Sequence, residues 1–439
     1  MDTRVYQRAN PSTQATFLTT SSAESAALAA AGFTAEQSSP FRVSTRSATG
    51  LTAVHRLYRP ATGDYLFTTS TSEVASAGAR YGYLDQGVRF YAPRTGAACL
   101  VPVHRYLDRR NKHQLVSTET ARRQLAAQGA RYEGIAFYAA PPAAPPPDAP
   151  AFTLAVVPPT QTEVLRAGDT RWANRTAWLA RNKTALNLRF VADTGDVVNW
   201  GNVDRRQLAM VQSALGTLES AGIPYSLALG NHDTAAVCVG GSACDRTRTR
   251  ELFRDTSAFN SYFTAADFGA VSGQFEPGKV DNSYSTFEAG GRRWMVLTLE
   301  MWPRGSAVAW ARQVVAAHPG HNVAVVTHQY LTGSSQIATN ADYGQTSPRI
   351  LFQDLVSRYR NIKLVFSGHE GRAAYRTDRG VHGNTIYSIG VHLHDPTNNP
   401  IQLVRIDAKA GTLTSRVYAP NTDMTLPGFS RSITGIAWT

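Results

Sequence analysis

From residue 151 onward the hydrophobic positions fall into short continuous apolar runs separated by longer stretches with helical spacing. The runs at 152–157, 188–193, 223–229, 322–327 and 362–367 lack the strict alternation of a half-exposed strand. Unbroken runs of this length are what strands covered on both faces require. Between them, residues 169–186, 203–220, 306–318 and 348–359 predict helices, the first capped by Asp169. Residues 282–287 and 293–299 predict strands joined across Gly290-Gly291, and the tail predicts three more at 385–389, 401–406 and 413–418. Strands alternating with helices predict a layered α/β domain over 151–439. Residues 234–281 show no clear period and read as an insertion. Its aromatics Phe253, Phe259, Tyr262 and Phe263 form either a local core or a wall beside a site.

Before residue 141 the pattern has a longer period. Val5, Val54 and Val103 recur 49 residues apart, as do Thr20, Thr69 and Thr118. Val-His55-Arg-Leu-Tyr returns as Val-His104-Arg-Tyr, and Gly87-Val-Arg-Phe-Tyr-Ala as Gly134-Ile-Ala-Phe-Tyr-Ala, while the worn first copy closes with Ser39-Pro-Phe41. Each copy predicts a strand, a turn, a second strand, a short helix and an aromatic strand. One such unit cannot bury its own Tyr and Phe side chains. Three copies closing on a common axis predict a β-rich, three-fold, β-trefoil-like domain over 1–140. The proline-dense residues 141–150 then read as a stiff linker to the domain at 151–439.

Four of the apolar runs end in residues that carry chemistry. Run 188–193 leads to Thr194-Gly195-Asp196, run 223–229 to Gly230-Asn231-His232-Asp233, run 322–327 to His328, and run 362–367 to Gly368-His369. Carboxylate, amide oxygen and imidazole suit a divalent cation, and strand ends are where open α/β sheets carry their sites. In the tail, Gly390-Val391-His392-Leu393-His394 places two histidines on one strand face by alternation. They are either a pair at a domain edge or candidates to replace a lost ligand or to contact substrate phosphate.

In this order of motifs the chain resembles the calcineurin-like metallophosphoesterases over roughly residues 151–420, whose motifs run Asp-x-His, Gly-Asp, Gly-Asn-His-Asp/Glu, a lone His and Gly-His-x-His. The resemblance implies two stacked sheets flanked by helices and metal-dependent hydrolysis of phosphate esters, as a phosphodiesterase or phosphomonoesterase. By motif match, Asp196 is the carboxylate shared by two metals, and Asn231, His328 and His369 hold one of them. His232 then acts on the leaving group, with Asn199 or Asp233 orienting its imidazole. The departures fall on the other metal: Pro159 and Gln161 stand where the first motif has Asp and His, and Gly371 where the last has its second His. Asn199 replaces a further family Asp. One divalent ion is therefore expected to bind tightly and a second weakly or not at all, unless Gln161, Glu163, His392 or His394 serves as a replacement. The alternative is a catalytically weak or inactive phosphate- or glycan-binding protein. Loss of one metal's ligands favours that alternative, and retention of His232 favours the enzyme.

Composition adds compartment and partners. With 43% hydrophobic and 17% charged residues in 439, the chain reads as a soluble multidomain protein, and no run approaches a membrane span. Its net charge is +12, with Arg far outnumbering Lys, and residues 1–140 hold 16 Lys+Arg against 9 Asp+Glu. Phosphorylated or acidic partners fit that balance; nothing in the sequence reads a base, so nucleic acid has no specific support. The repeats resemble a module appended to secreted bacterial hydrolases, which implies a glycan or anionic cell-surface ligand. Cys238 and Cys244 flank a flexible loop suited to a small disulfide, leaving Cys99 single. The chain opens Met1-Asp2-Thr3-Arg4 with no charged-then-apolar leader, so the expectation is a secreted or periplasmic protein whose leader is absent from this sequence.

Overall fold

The computed structural model describes all residues except 34, 38–40, 98, 118 and 142–148. The Ser39 closure of the first repeat, Thr118 and most of the proline-rich linker therefore lie outside the described residues. The chain forms two compact units, Met1–Ala144 and Pro145–Thr439.

In the first unit each repeat forms a three-stranded antiparallel sheet with a helix between its second and third strands. The central strands are Tyr6–Ala9, Thr52–Arg59 and Val101–Leu107. Equivalent positions meet in one core: Val5, Val54 and Val103 are fully buried, and Phe137 lies 5.7 Å from Phe41 and 5.5 Å from Phe90 between ring centres. Successive copies are also clamped by charge. Arg56 reaches Glu24 of the preceding copy at 2.9 Å, and Arg105 grips Glu73 through two bonds of 2.9 and 2.7 Å. Such paired, fork-matched contacts hold geometry better than single exposed ion pairs. The recurring histidines join this packing, His55 against Asp85 and His104 against Tyr132.

The second unit has two seven-stranded sheets face to face. Its labelled elements begin with β1 (Ala151–Val157), α1 (Arg171–Leu186), β2 (Leu188–Asp193), α2 (Arg205–Ser220) and β3 (Tyr225–Leu227). There follow β4 (Val271–Gln274), β5 (Ser283–Ala289), β6 (Arg292–Thr298), α3 (Gly305–Ala317), β7 (His321–Val326), α4 (Pro348–Asp354) and β8 (Ile362–Ser367). The rest are β9 (Ala373–Arg379), β10 (Thr385–Val391), β11 (Ile401–Asp407), β12 (Thr412–Ala419), β13 (Met424–Thr425) and β14 (Arg431–Ile433). One sheet runs β3-β2-β1-β11-β12-β13 with β14 also on β12, and the other runs β4-β5-β6-β7-β8-β10-β9.

Successive residues of the central strands face opposite layers, which accounts for their unbroken apolar runs. In β1, Phe152, Leu154 and Val156 fill the space between the sheets, while Ala155 and Val157 pack under α1 and α2. In β6 and β7, Trp294, Val296, Ala324 and Val326 face inward, and Met295, Leu297, Val323 and Val325 face α3 and α4. Parallel pairing of β1 with β2 and β3, and of β6, β7, β8 and β10, brings the carboxyl ends of each set to one edge.

Two expectations shift in detail. Thr170, not Asp169, takes the N-cap position of the first helix without a side-chain capping bond, and Asp169 accepts bonds from the Arg171 N–H at 3.0 Å and guanidinium at 2.8 Å. The fourth helix ends at Asp354 and tightens into a 3₁₀ turn over Val356–Arg358, burying Leu355 and Val356. The insertion is irregular apart from two single turns and β4. Phe259 and Phe263 are buried in the core beneath α1 and α2, and Phe253 packs on Trp302 and Tyr343, so these aromatics are local core. Cys238 and Cys244 are disulfide-bonded and Cys99 is exposed and free. Among the described residues no helix is long and apolar enough to cross a membrane.

Candidate metal centre

The loops leaving β2, β3, β7 and β8 converge. Ligating atoms of Asp196, His328 and His369 all lie within 4.8 Å of one another. His328 Nε2 is 3.0 Å from Asp196 Oδ2 and 3.1 Å from His369 Nδ1. The other nitrogen of His328, Nδ1, donates to the Thr194 carbonyl at 2.8 Å, which fixes the ring and leaves Nε2 for the centre. Asp196 and His369 both take positive φ, 56° and 69°, a left-handed backbone uncommon outside glycine that turns each side chain inward. Gly230 is required for a different reason: a Cβ there would sit 2.0 Å from Asp196 Oδ1.

Asn231 follows in the same loop. Its Oδ1 is buried and has no hydrogen-bond partner among the described residues. A buried amide oxygen left unpaired is costly unless something electropositive meets it. One carboxylate and two imidazoles fit a divalent cation of the zinc, iron or manganese type, and this unpaired oxygen is the candidate fourth donor.

Asp233 does not face His232. Its carboxylate accepts three main-chain N–H groups, from Asp196 at 2.8 Å, Val198 at 3.0 Å and Gly230 at 2.9 Å. The imidazole of His232 is instead held through Nδ1 by the Asn199 main-chain carbonyl at 2.8 Å, so Asn199 contributes its backbone rather than its amide. That loop is in turn fixed by Gln207, whose Oε1 accepts the N–H groups of Asn199 and Trp200 at 2.9 and 3.1 Å. Sequence reading missed Gln207 and Thr194. A glutamine on the buried face of a predicted helix was the available signal for the first; a carbonyl anchor such as Thr194 leaves none.

The first-motif loop is altered as its sequence suggests. Gln161 Nε2 donates to Asp196 Oδ2 at 3.1 Å, and its Oε1 is buried without a hydrogen-bond partner among the described residues. The Pro159 ring lies against Gly368, where a Cβ would meet it at 2.5 Å. Glu163 is committed elsewhere: both its oxygens are held by the buried guanidinium of Arg175 at 2.6 and 2.7 Å, which removes it from the centre. His392 and His394 lie beyond the end of β10, in a cleft with Arg372.

Burial works to raise the Asp196 carboxyl, but the charge and hydrogen bond of His328 hold it well below the usual carboxylate range. His328 is opposed by burial and raised by Asp196. Burial and the charge of His328 push His369 down to about 3. Burial, then the charge of Asp196, push Asp233 up to about 7, with its main-chain bonds pulling the other way. Asp196, being lowered, contributes stability above about pH 4 that is lost in acid, and His328, being raised, contributes below about pH 6.5 and loses it as pH climbs through its raised value. In metal-stripped protein the pair is thus most stabilising between those limits.

A cation requires the neutral imidazole of His328, so its binding must displace a proton. Calorimetric titration of metal-stripped protein at pH 6, in two buffers of different ionisation heat, should show release of about one proton per ion, falling away at alkaline pH. Binding heats that do not depend on the buffer at pH 6 would contradict the paired Asp196–His328 arrangement.

Residues 168–372 match the family described as calcineurin-like phosphoesterase, and residues 4–140 match a domain of unknown function, DUF5648. The uncharacterized protein YvnB of Bacillus subtilis (strain 168) is 26% identical over 211 residues, 46% of this chain but only 14% of that relative's length. Among solved structures, a dimetal phosphatase from Danio rerio aligns with a TM-score of 0.38 and 11% identity, covering 64% of this chain and 98% of that one. GAP50, the anchor in the inner membrane complex of Plasmodium, aligns with a TM-score of 0.36 and 8% identity, covering 65% and 89%. Behind a DUF5648 domain at residues 4–140, this chain carries a calcineurin-like phosphoesterase domain at residues 168–372.

Proposed function

We propose that the chain hydrolyses phosphate esters at a centre built for one tightly held divalent ion. The observation that carries this reading is the convergence of Asp196, His328 and His369 within 4.8 Å, beside the buried, unpaired Oδ1 of Asn231. These four residues would hold the ion. When bound, it supplies Lewis-acid polarisation of a phosphoryl oxygen.

The chain's own groups supply the rest. Asn199 holds His232 by Nδ1, which aims Nε2 away from the loop and allows that nitrogen to carry a proton to a departing oxygen. An imidazole positioned in this way serves proton transfer and has little use in passive binding. This favours the hydrolase over an inactive phosphate- or glycan-binding protein. Gln161, at the position of the family's first-motif histidine, donates through Nε2 to Asp196 Oδ2, the oxygen that also faces His328. A neutral donor there supports the single-ion reading, because it satisfies the carboxylate without a second cation.

The reading extends to the whole chain. Residues 1–140 are proposed as a three-fold module, trefoil-like in symmetry, that binds a glycan or anionic cell-surface ligand. Residues 141–150 are proposed as a linker, and residues 151–439 as the hydrolase. The basic balance of 1–140 supports an anionic ligand. The Cys238–Cys244 disulfide supports a secreted or periplasmic location, which recovery of the native chain from medium or periplasm rather than cytosol would test.

His232→Ala should lower hydrolysis of a chromogenic phosphate diester or monoester by about 10²–10⁴-fold while metal content stays unchanged. Undiminished turnover would remove His232 from proton transfer. A fragment of residues 151–439 should fold and match the full chain on the same ester, with any binding to anionic glycan retained by residues 1–140. An inactive or insoluble fragment would show that the two parts depend on one another.

A further inference from the structure

Two histidines near the Asp196 centre, His392 and His394, have no role in the proposed mechanism. Parallel register places Ser367 of β8 opposite Gly390 of β10, so His369 and His392 leave neighbouring strands at the same level. The alternation beyond β10 buries Leu393 and turns His392 and His394 to the same side. Their Nε2 atoms face each other at 3.1 Å, with the rings edge to face. His392 is anchored further by its main-chain N–H to the Arg372 carbonyl at 3.1 Å and by a ring contact to the main chain of Gly371. Both imidazoles lie within electrostatic reach of Asp196 and His328.

A hydrogen bond between the two rings accounts for one nitrogen pair at this distance. The same spacing is also what a shared ion imposes. Metal–nitrogen distances of about 2.0–2.1 Å, with ligand angles between about 90° and 110°, set two imidazole nitrogens about 2.9–3.4 Å apart. The pair borders a cleft of about 490 Å³ that Arg372 and Phe429 also line. Two neutral imidazoles in a cleft that Arg372 also lines attract a bare cation weakly. An anion bridging the guanidinium and the ion reverses that balance, and the anion this centre is read to accept is a phosphoryl group.

We propose that His392 and His394 form a second cation site, separate from the Asp196 centre, that fills only together with a phosphoryl ligand in the Arg372 cleft. The proposal rests on the phosphate-ester reading. It gives the chain a second ion displaced from the family position that Gln161 and Pro159 close.

The test is equilibrium dialysis of the full-length protein against Zn²⁺, with and without phenylphosphonate. Wild type should hold one equivalent alone and gain a second only when phenylphosphonate is present. The double variant His392→Ala/His394→Ala, and His394→Ala alone at the more exposed position, should keep the first equivalent and lose the second. A second equivalent that never appears, that appears equally without phenylphosphonate, or that survives in both variants overturns the proposal. Failure of the hydrolase reading would show elsewhere, as a wild type that lacks the first equivalent or does not turn over ester.

Discussion

Three main-chain N–H groups, on Asp196, Val198 and Gly230, converge on the one carboxylate of Asp233. Those donors belong to the loops that leave β2 and β3, so this carboxylate sets where Asp196, Asn231 and His232 lie relative to one another. Removing it would leave three buried donors unpaired at about 1–3 kcal/mol each. The remaining geometry follows from the tie. With the Asp196 loop fixed, the Thr194 carbonyl meets His328, the Asn199 carbonyl meets His232, and Gly230 passes too close to Asp196 for any side chain. The positive φ of Asp196 persists because these bonds fix its loop.

Charge decides what the centre can hold. A buried carboxylate needs compensation, and here Asp196 receives it from His328, from the Gln161 amide and from the His232 N–H. On the proposed reading, an ion takes over the compensation by His328 and also meets the Asn231 oxygen. Gln161 adds a neutral donor to the same oxygen, Oδ2, that meets His328. That reading leaves one strong position of the family's two, with His232 proposed beside it as the proton-transfer group.

Much of the fold was legible because the sheets are covered on both faces. Runs such as 152–157 and 322–327 are almost wholly apolar on both faces, and the polar residues that follow them mark the strand termini. The repeats were legible through Val5, Val54 and Val103, which recur because they share one core. The strand, strand, helix, strand order of each copy was legible too, whereas the pairing of each copy into its own three-stranded sheet was not. Roles read by side-chain type fared less evenly. Asp233 follows His232 in sequence, yet its carboxylate turns to backbone donors, and Asn199 acts through a carbonyl that every residue possesses. Glu163 sits in the first-motif loop, but the buried Arg175 that claims it lies 12 residues on, across a turn and into α1. Backbone anchors and long-range ion pairs carry no residue signature, whereas glycines, metal-ligand types and apolar runs do.

The central claim is that the Asp196 centre holds one cation strongly. Elemental analysis after exhaustive dialysis in phosphate-free buffer tests it most directly. The account predicts close to one divalent ion per chain in wild type, and none after Asn231→Ala or His328→Ala. Two ions retained through that dialysis would contradict it.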